Sequence, residues 1–281
     1  MNTQPLKSKH RLLVLMDKSK ASYNALKNAV NLAKLVDGSI DVLQVTSPTS
    51  VVRYENQIAS MRAIDEERSK QKKELRNIVS SISKEAGLPI ACNFTFGNVK
   101  NEIKNHIEKT KPDIVVLGKR KKKIINFLGD QVTVDLLKTH DGGVLISGDS
   151  EAFTSYNNQS IGFLNSIEGI DKIALVNDLK NHSQKPFKLF KTVQNNTLET
   201  EKVELGKTKE LNVKKDVIVY EFDANDDSSN GMINFISKNN LSLLCVNKKD
   251  KINDSFSSSV NKVLSKTMEK TNVSILVLNS N

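Results

Sequence analysis

The chain has 281 residues, 38% hydrophobic and 26% charged, with a formal net charge of +10, a balance that excludes a disordered chain and suits two ordinary domains. Aromatic residues make up 5% and tryptophan is absent, so no stacking platform for single-stranded nucleic acid is visible. No apolar run reaches the length of a membrane span, and MNTQPLKSKH lacks the apolar core of a secretory signal, so a cytoplasmic protein with no membrane partner is expected.

Leu12 to Met16 form a short apolar run, read as a strand. Asp17-Lys18-Ser19 follows, with side chains that can accept bonds from the free N–H groups of a helix start. Apolar residues then recur at helical spacing, at Ala25, Leu26, Ala29, Val30, Leu32, Ala33 and Val36, until Asp37-Gly38 ends the pattern. Ile40 to Val45 predicts a second strand and Ser47 to about Gln57 a loop. Ile58 to Ala86 predicts a long helix with a charged, solvated middle, stopped by Gly87 and Pro89. Ile90 to Phe96 has strand composition, and Val99, Ile103 and Ile107 mark a helix that Pro112 closes. Asp113 to Gly118 is a continuous aliphatic run, the pattern of a strand covered on both faces in a parallel sheet. Val132, Leu136 and Leu137 indicate another helix, and Val144 to Ile146 a strand.

Gly148 to about Gly169 is rich in Ser, Asn, Gln and Thr and reads as a linker. Beyond it the order partly repeats. Lys172 to Asp178 echoes Arg11 to Asp17, and Leu241 to Lys249 echoes Pro112 to Arg120. A helix around Val260 to Met268 and a strand from Val273 to Leu278 close the second copy. This predicts a doubly wound α/β chain built as a tandem duplication, residues 1–150 and 151–281, with a reduced second member. Cys92 and Cys245 each lie in an apolar run and are expected as small core residues.

The basic excess is not spread evenly. Residues 1–150 hold 25 Lys+Arg against 16 Asp+Glu, whereas the remainder holds 17 against 16. Five consecutive basic residues, Lys119-Arg120-Lys121-Lys122-Lys123, follow Gly118. Three readings stay open: a solvated basic turn, a phosphorylated ligand held by lysines as point charges, or a patch for nucleic acid or another polyanion.

The stretches LLVLMDKSKASYNALKNAVNLAKLVDGSIDVLQV, FGNVKNEIKNHIEKTKPDIVVLGKR and VTVDLLKTHDGGVLI resemble the universal stress protein family. The resemblance implies two flavodoxin-like, HUP-type domains with five-stranded parallel sheets, packed as an intramolecular pseudo-dimer through Val144 to Ile146 and Val273 to Leu278. In the family's ATP-binding branch an Asp after the first strand and a backbone group ending the second hold adenosine, and a loop of the form G-x2-G-x9-G-[ST] wraps the phosphates. Asp17, Val45 and Gly118 match the first positions. The loop then departs from the pattern. Lys119, Arg120 and Lys121 follow the first glycine, with Lys121 standing where the second belongs. The family spacing reaches Gln131, and Gly129-Asp130 lies out of register. A side chain at 121 hinders close backbone approach, and Asp130 repels a phosphate. In the second half Asn247 and Ser257-Ser258-Ser259 occupy the corresponding positions, without a glycine pair.

These features predict a non-enzymatic stress-response protein with ATP or another adenine nucleotide as its candidate ligand near Asp17, Val45 and Gly118. The alternatives are a nucleotide-free regulatory or polyanion-binding module and a slow ATPase. Asp17 could equally serve as a helix cap, and Asp178 reads as a cap rather than a ligand group. His10, His106, His140 and His182 are scattered, so no zinc site is predicted, and no G-x-S-x-G elbow or other catalytic set is present. A protein partner and a homodimer are compatible with the sequence, which names neither.

Overall fold

The computed structural model describes residues 8–47, 57–119, 131–148, 160–167, 173–183, 185–193, 211–214, 217–223, 226–239, 241–248 and 266–279. The chain divides into two compact units, Met1–Gly118 and Lys119–Asn281.

The first unit runs β1 (His10–Met16), α1 (Lys20–Val36), β2 (Gly38–Thr46), α2 (Gln57–Ala86), β3 (Ile90–Phe96), α3 (Val99–Thr110) and β4 (Ile114–Gly118). Its strands lie in the order β3-β2-β1-β4, all parallel. The aliphatic runs are strands because they are covered from both sides: Leu12, Leu13, Val14, Ile114, Val115 and Val116 are all buried. α1 turns Ala25, Leu26 and Ala29 onto the sheet, and Asp37, at φ 53°, closes it in the left-handed conformation. Gly87, at φ 64°, follows α2 in the same conformation. Asn98 caps α3 by accepting from the N–H of Asn101, and Lys111 ends that helix one residue before Pro112. On the sheet face beneath α3, the ring Nε2 of His106 lies 2.7 Å from Asp41 Oδ2, while Asn93 donates to Asp41 Oδ1 at 2.8 Å.

At the amino ends of β1 and β4, Asp113 Oδ2 accepts from the Arg11 backbone N–H at 2.8 Å and from Arg11 Nε at 3.3 Å. Partial burial pushes the Asp113 carboxyl up, but its bonds and charge interaction with Arg11 together outweigh this and hold it below its ordinary value of 3.8. Its stabilising contribution is therefore complete above that ordinary value and is lost as pH falls through the lowered one. The side chains are 52% and 41% exposed, so screening limits the ion pair to about 0.2–1 kcal/mol. Asp113→Asn is expected to cost that same about 0.2–1 kcal/mol at pH 7, and the difference from wild type should shrink as pH falls below about 4, so that the acid limb is flatter. Urea midpoints measured from pH 2.5 to 7 check this, and an unchanged acid limb would contradict it.

The second unit comprises α4 (Gln131–Thr139), β5 (Gly143–Ser147), β6 (Ile161–Leu164), α5 (Ala174–Asn181), β7 (Phe187–Val193), β8 (Leu211–Lys214), β9 (Val217–Asp223), α6 (Asp226–Lys238), β10 (Leu243–Asn247) and β11 (Ser274–Leu278). Its strand order is β5-β11-β10-β6-β7-β9-β8. The five strands from β11 to β9 are parallel, whereas β5 and β8 pair antiparallel at the two ends. β10 lies between β6 and β11, as its echo of β4 predicts, and β5 pairs with β11 through Val144↔Val277, Leu145↔Leu276 and Ile146↔Ile275. That is the strand contact expected of the two terminal runs.

Two expectations in this half fail. The run echoing Arg11 to Asp17 is not a strand; Ala174–Asn181 is α5, with Leu175, Val176 and Leu179 buried and spaced to share one face. The first strand of this half is β6, inside the stretch read as a linker. Asp178 consequently sits within a helix, and Asn165 follows β6 with φ 64°, as Lys18 does shortly after β1. The core of this unit is aromatic: Phe190 stacks on Tyr220 at 5.7 Å, and Phe235 of α6 meets Tyr220 at 4.6 Å and Phe222 at 6.0 Å. Cys245 is fully buried, which pushes its thiol far up, while Cys92 is half-buried; both are free. Among the described residues no helix is long and apolar enough to cross a membrane.

Candidate functional site

In the first unit the chain steps from β1 through β2 to β3, then returns to the opposite side of β1 for β4. The crossovers from β1 and to β4 thus diverge between β1 and β4, and at such a switch point the carboxyl ends of the strands open a crevice. Asp17 follows β1 directly. Val45 is the penultimate residue of β2, next to Gln44, which pairs with Met16. Gly118 ends β4, two residues beyond Val116, the partner of Val14. These three predicted residues share one end of the sheet.

Asp17 is exposed, and its role is local as well as positional. Its Oδ1 accepts from the N–H of Ser19 at 3.1 Å and from the Ser19 hydroxyl at 2.5 Å. Ser19, not Asp17, is the N-cap of α1 and accepts from the N–H of Ser22. Between them Lys18 takes φ 64°, a left-handed conformation uncommon for a side chain with a Cβ. The turn is braced from outside by Lys18 Nζ, which donates to Glu74 Oε2 at 2.8 Å and so holds the Glu74 carboxyl below its ordinary value.

Gly118 has a packing duty. A Cβ there would lie 2.3 Å from the backbone C and O of Ala21, so only glycine lets the first turn of α1 close over the end of β4. The first turn of α1 consequently lies beside the strand end, with its Ser22 N–H already donated to Ser19.

The charged helix α2 contributes more than a solvated face. Gln71 is buried; its Oε1 accepts from Gln44 Nε2 at 3.2 Å and from the Thr46 hydroxyl at 2.8 Å, and its amide donates to Glu67 at 2.6 Å. Gln71, steadied by Glu67, thus grips the carboxyl end of β2, while Glu74 one turn on holds Lys18 in the turn after β1. The signal in the sequence was the four-residue spacing of Gln71, Leu75 and Val79, all buried.

Of the remaining predicted residues, Lys119 and Gln131 fall in the second unit. Gln131 heads α4 and is exposed. Lys119 departs from the phosphate role: it is 8% exposed, and its Nζ donates to the carbonyl of Thr271 at 2.5 Å. Arg120, Lys121, Gly129 and Asp130 lie outside the described residues, as does Ser257-Ser258-Ser259. Asn247, the counterpart of Gly118, is buried at the end of β10. Among the described residues no group of three or more His, Cys, Asp or Glu could hold a metal ion.

The sequence model of the universal stress protein family matches residues 9–146, from β1 to the end of β5. Through this stretch the chain belongs to the universal stress protein family. Over nearly its whole length the fold is similar to that of a universal stress protein from Archaeoglobus fulgidus DSM 4304, with 13% identity, 98% of this chain and 97% of that chain covered, and a TM-score of 0.67. A functionally unknown protein from Pseudomonas aeruginosa PAO1 is similar at 12% identity, covering 96% and 92%, with a TM-score of 0.55. At these identities the likeness establishes the fold. A universal stress protein family protein from Arabidopsis thaliana with AMP bound aligns with 48% of this chain and 88% of that one, at 18% identity and a TM-score of 0.34, too low to carry an argument about ligand. No curated protein matches the chain. The universal stress stretch therefore includes Asp17, Val45 and Gly118 together with the turn and helix end that flank them.

Proposed function

We propose that this chain is a non-enzymatic stress-response protein of the cytoplasm whose first unit holds an adenine nucleotide, such as ATP, at the carboxyl ends of β1, β2 and β4. One observation carries the reading: Asp17, Val45 and Gly118 meet at the switch point of a doubly wound sheet, beside the N-terminal turn of α1. Asp17 supplies an acceptor for a ribose hydroxyl, and Val45 offers backbone groups to a base edge. Among the described residues no set that could activate water is gathered there, which favours a binding role over a slow ATPase.

The test is to denature freshly purified protein and chromatograph the released small molecules, then to titrate ATP against wild type and Asp17→Ala. Stoichiometric adenine nucleotide, or a thermal shift with ATP that Asp17→Ala weakens at least tenfold, is expected. A clean supernatant together with no shift overturns the reading.

The engagement of Asp17 in its own turn favours a second reading, a nucleotide-free module acting as a polyanion binder through the basic run beyond Lys119, whose own ammonium is taken by Thr271. It predicts affinity for a duplex oligonucleotide that falls steeply between 50 and 200 mM salt and is indifferent to Asp17→Ala. Binding that is weak at every salt concentration would remove it.

A further inference from the structure

We propose that Lys119 and Lys248 form a reciprocal pair of locks that hold the β5–β11 seam closed. Each ammonium is spent on the carbonyls that end the helix on the opposite side of that seam. The two lysines hold equivalent places: Lys119 directly follows β4 and Lys248 directly follows β10. Lys119 is fastened to the β5 side, where its backbone N–H donates to the carbonyl of Ser147 at 3.0 Å. Its Nζ crosses to the carbonyl of Thr271, at the end of helical residues 266–270 that lead into β11. Lys248 starts from the β11 side, since β10 pairs with β11, and its Nζ crosses to the carbonyls of His140 at 3.1 Å and Lys138 at 3.3 Å, where α4 ends before β5.

The acceptors match as closely as the donors. Thr271 and His140 each stand three residues before their strands, Ser274 and Gly143. Each closes the last helical turn through its own N–H, Thr271 onto Thr267 and His140 onto Leu136. Both acceptor residues are buried, at 5% and 8% exposure. Carbonyls at a helix end have no partner within the helix and carry the negative end of its dipole, so an ammonium placed there satisfies a need that neither strand can meet.

The antiparallel pair they flank is entirely buried in both strands. Opened, it would expose two apolar edges, each a template for strand pairing with a second copy of the chain. The paired lysines therefore favour the pairing made within one chain. They also leave neither ammonium as a ligand cation. The proposal stands whether or not a nucleotide binds in the first unit.

The test uses the full chain with Lys119→Met, Lys248→Met and the double substitution, methionine keeping most of the apolar stem. Hydrogen exchange is followed at the amides of Val144, Leu145, Ile146, Ile275, Leu276 and Val277, with the β1–β2 amides as an internal control. Each single substitution is expected to speed exchange at the seam about tenfold or more, and the double further, while β1–β2 protection is unchanged. The unfolding midpoint should drop by about 3–8 °C per substitution. Lys248→Arg, which keeps the charge and its donors, should restore protection. The double variant should also gain a concentration-dependent dimer in sedimentation velocity. Seam protection that is unchanged in Lys248→Met, or lost equally at β1–β2, would overturn the proposal. Should Lys119→Met fail to fold, the half-buried Lys248 carries the test alone.

Discussion

Phe190→Ala is expected to destabilise the second unit by about 3–5 kcal/mol, enough to bring a domain of ordinary stability close to its unfolding threshold. The Phe190 side chain is fully buried in β7, stacks on Tyr220 at 5.7 Å and meets Phe235 edge-on at 6.2 Å. Its ring also fills the space left by Gly162 of β6, where a Cβ would lie 2.6 Å from the Phe190 ring. Removing it breaks contacts with β6, β9 and α6 together, and a close-packed interior refills such a void only in part. Urea unfolding followed by far-ultraviolet circular dichroism measures the loss. Phe190→Leu, which keeps most of the volume, should cost less than about half as much. Equal losses for the two substitutions would show that the cluster does not pack as described.

Gly118→Ala is expected to cost the first unit about 3 kcal/mol with no ligand present. The added carbon meets main chain at 2.3 Å, not the yielding end of a side chain, so relief requires moving α1 away from β4. The same substitution separates two roles for this glycine. A protein as stable as wild type that has lost only its response to ATP would mean that Gly118 serves the ligand and not the packing. A protein destabilised in the absence of ATP is the outcome the geometry supports, with any loss of nucleotide following from the displaced helix end.

Most of the first unit could be read from the sequence because its signals are local. The spacing of Ala25 to Val36, the turn residues around Gly87 and Pro89, and the aliphatic run of β4 all express burial that each element achieves in a regular way. The family resemblance carried Asp17, Val45 and Gly118 to one end of the sheet, where the topology places them. The second half was harder for a physical reason. Ile173 to Val176 is apolar but short, and a short apolar run does not distinguish a buried strand from the start of a buried helix. α5 also begins without a side-chain cap, since Ile173 cannot accept the bond that Ser19 accepts at α1. β6 has only four residues and is preceded by polar ones, so it looked like part of a linker.

What the sequence determined by itself was the alternation of strand and helix, the doubling of that pattern and the ends of the helices with capping side chains. These follow from backbone preference and hydrophobic period within a few residues. Only the tertiary structure decided the fate of Lys119, whose acceptor is 152 residues further along the chain, and of Lys248, whose acceptors lie 108 and 110 residues back. A basic run announces charge, but which oxygen an ammonium meets depends on where distant segments return, and here they return as helix ends.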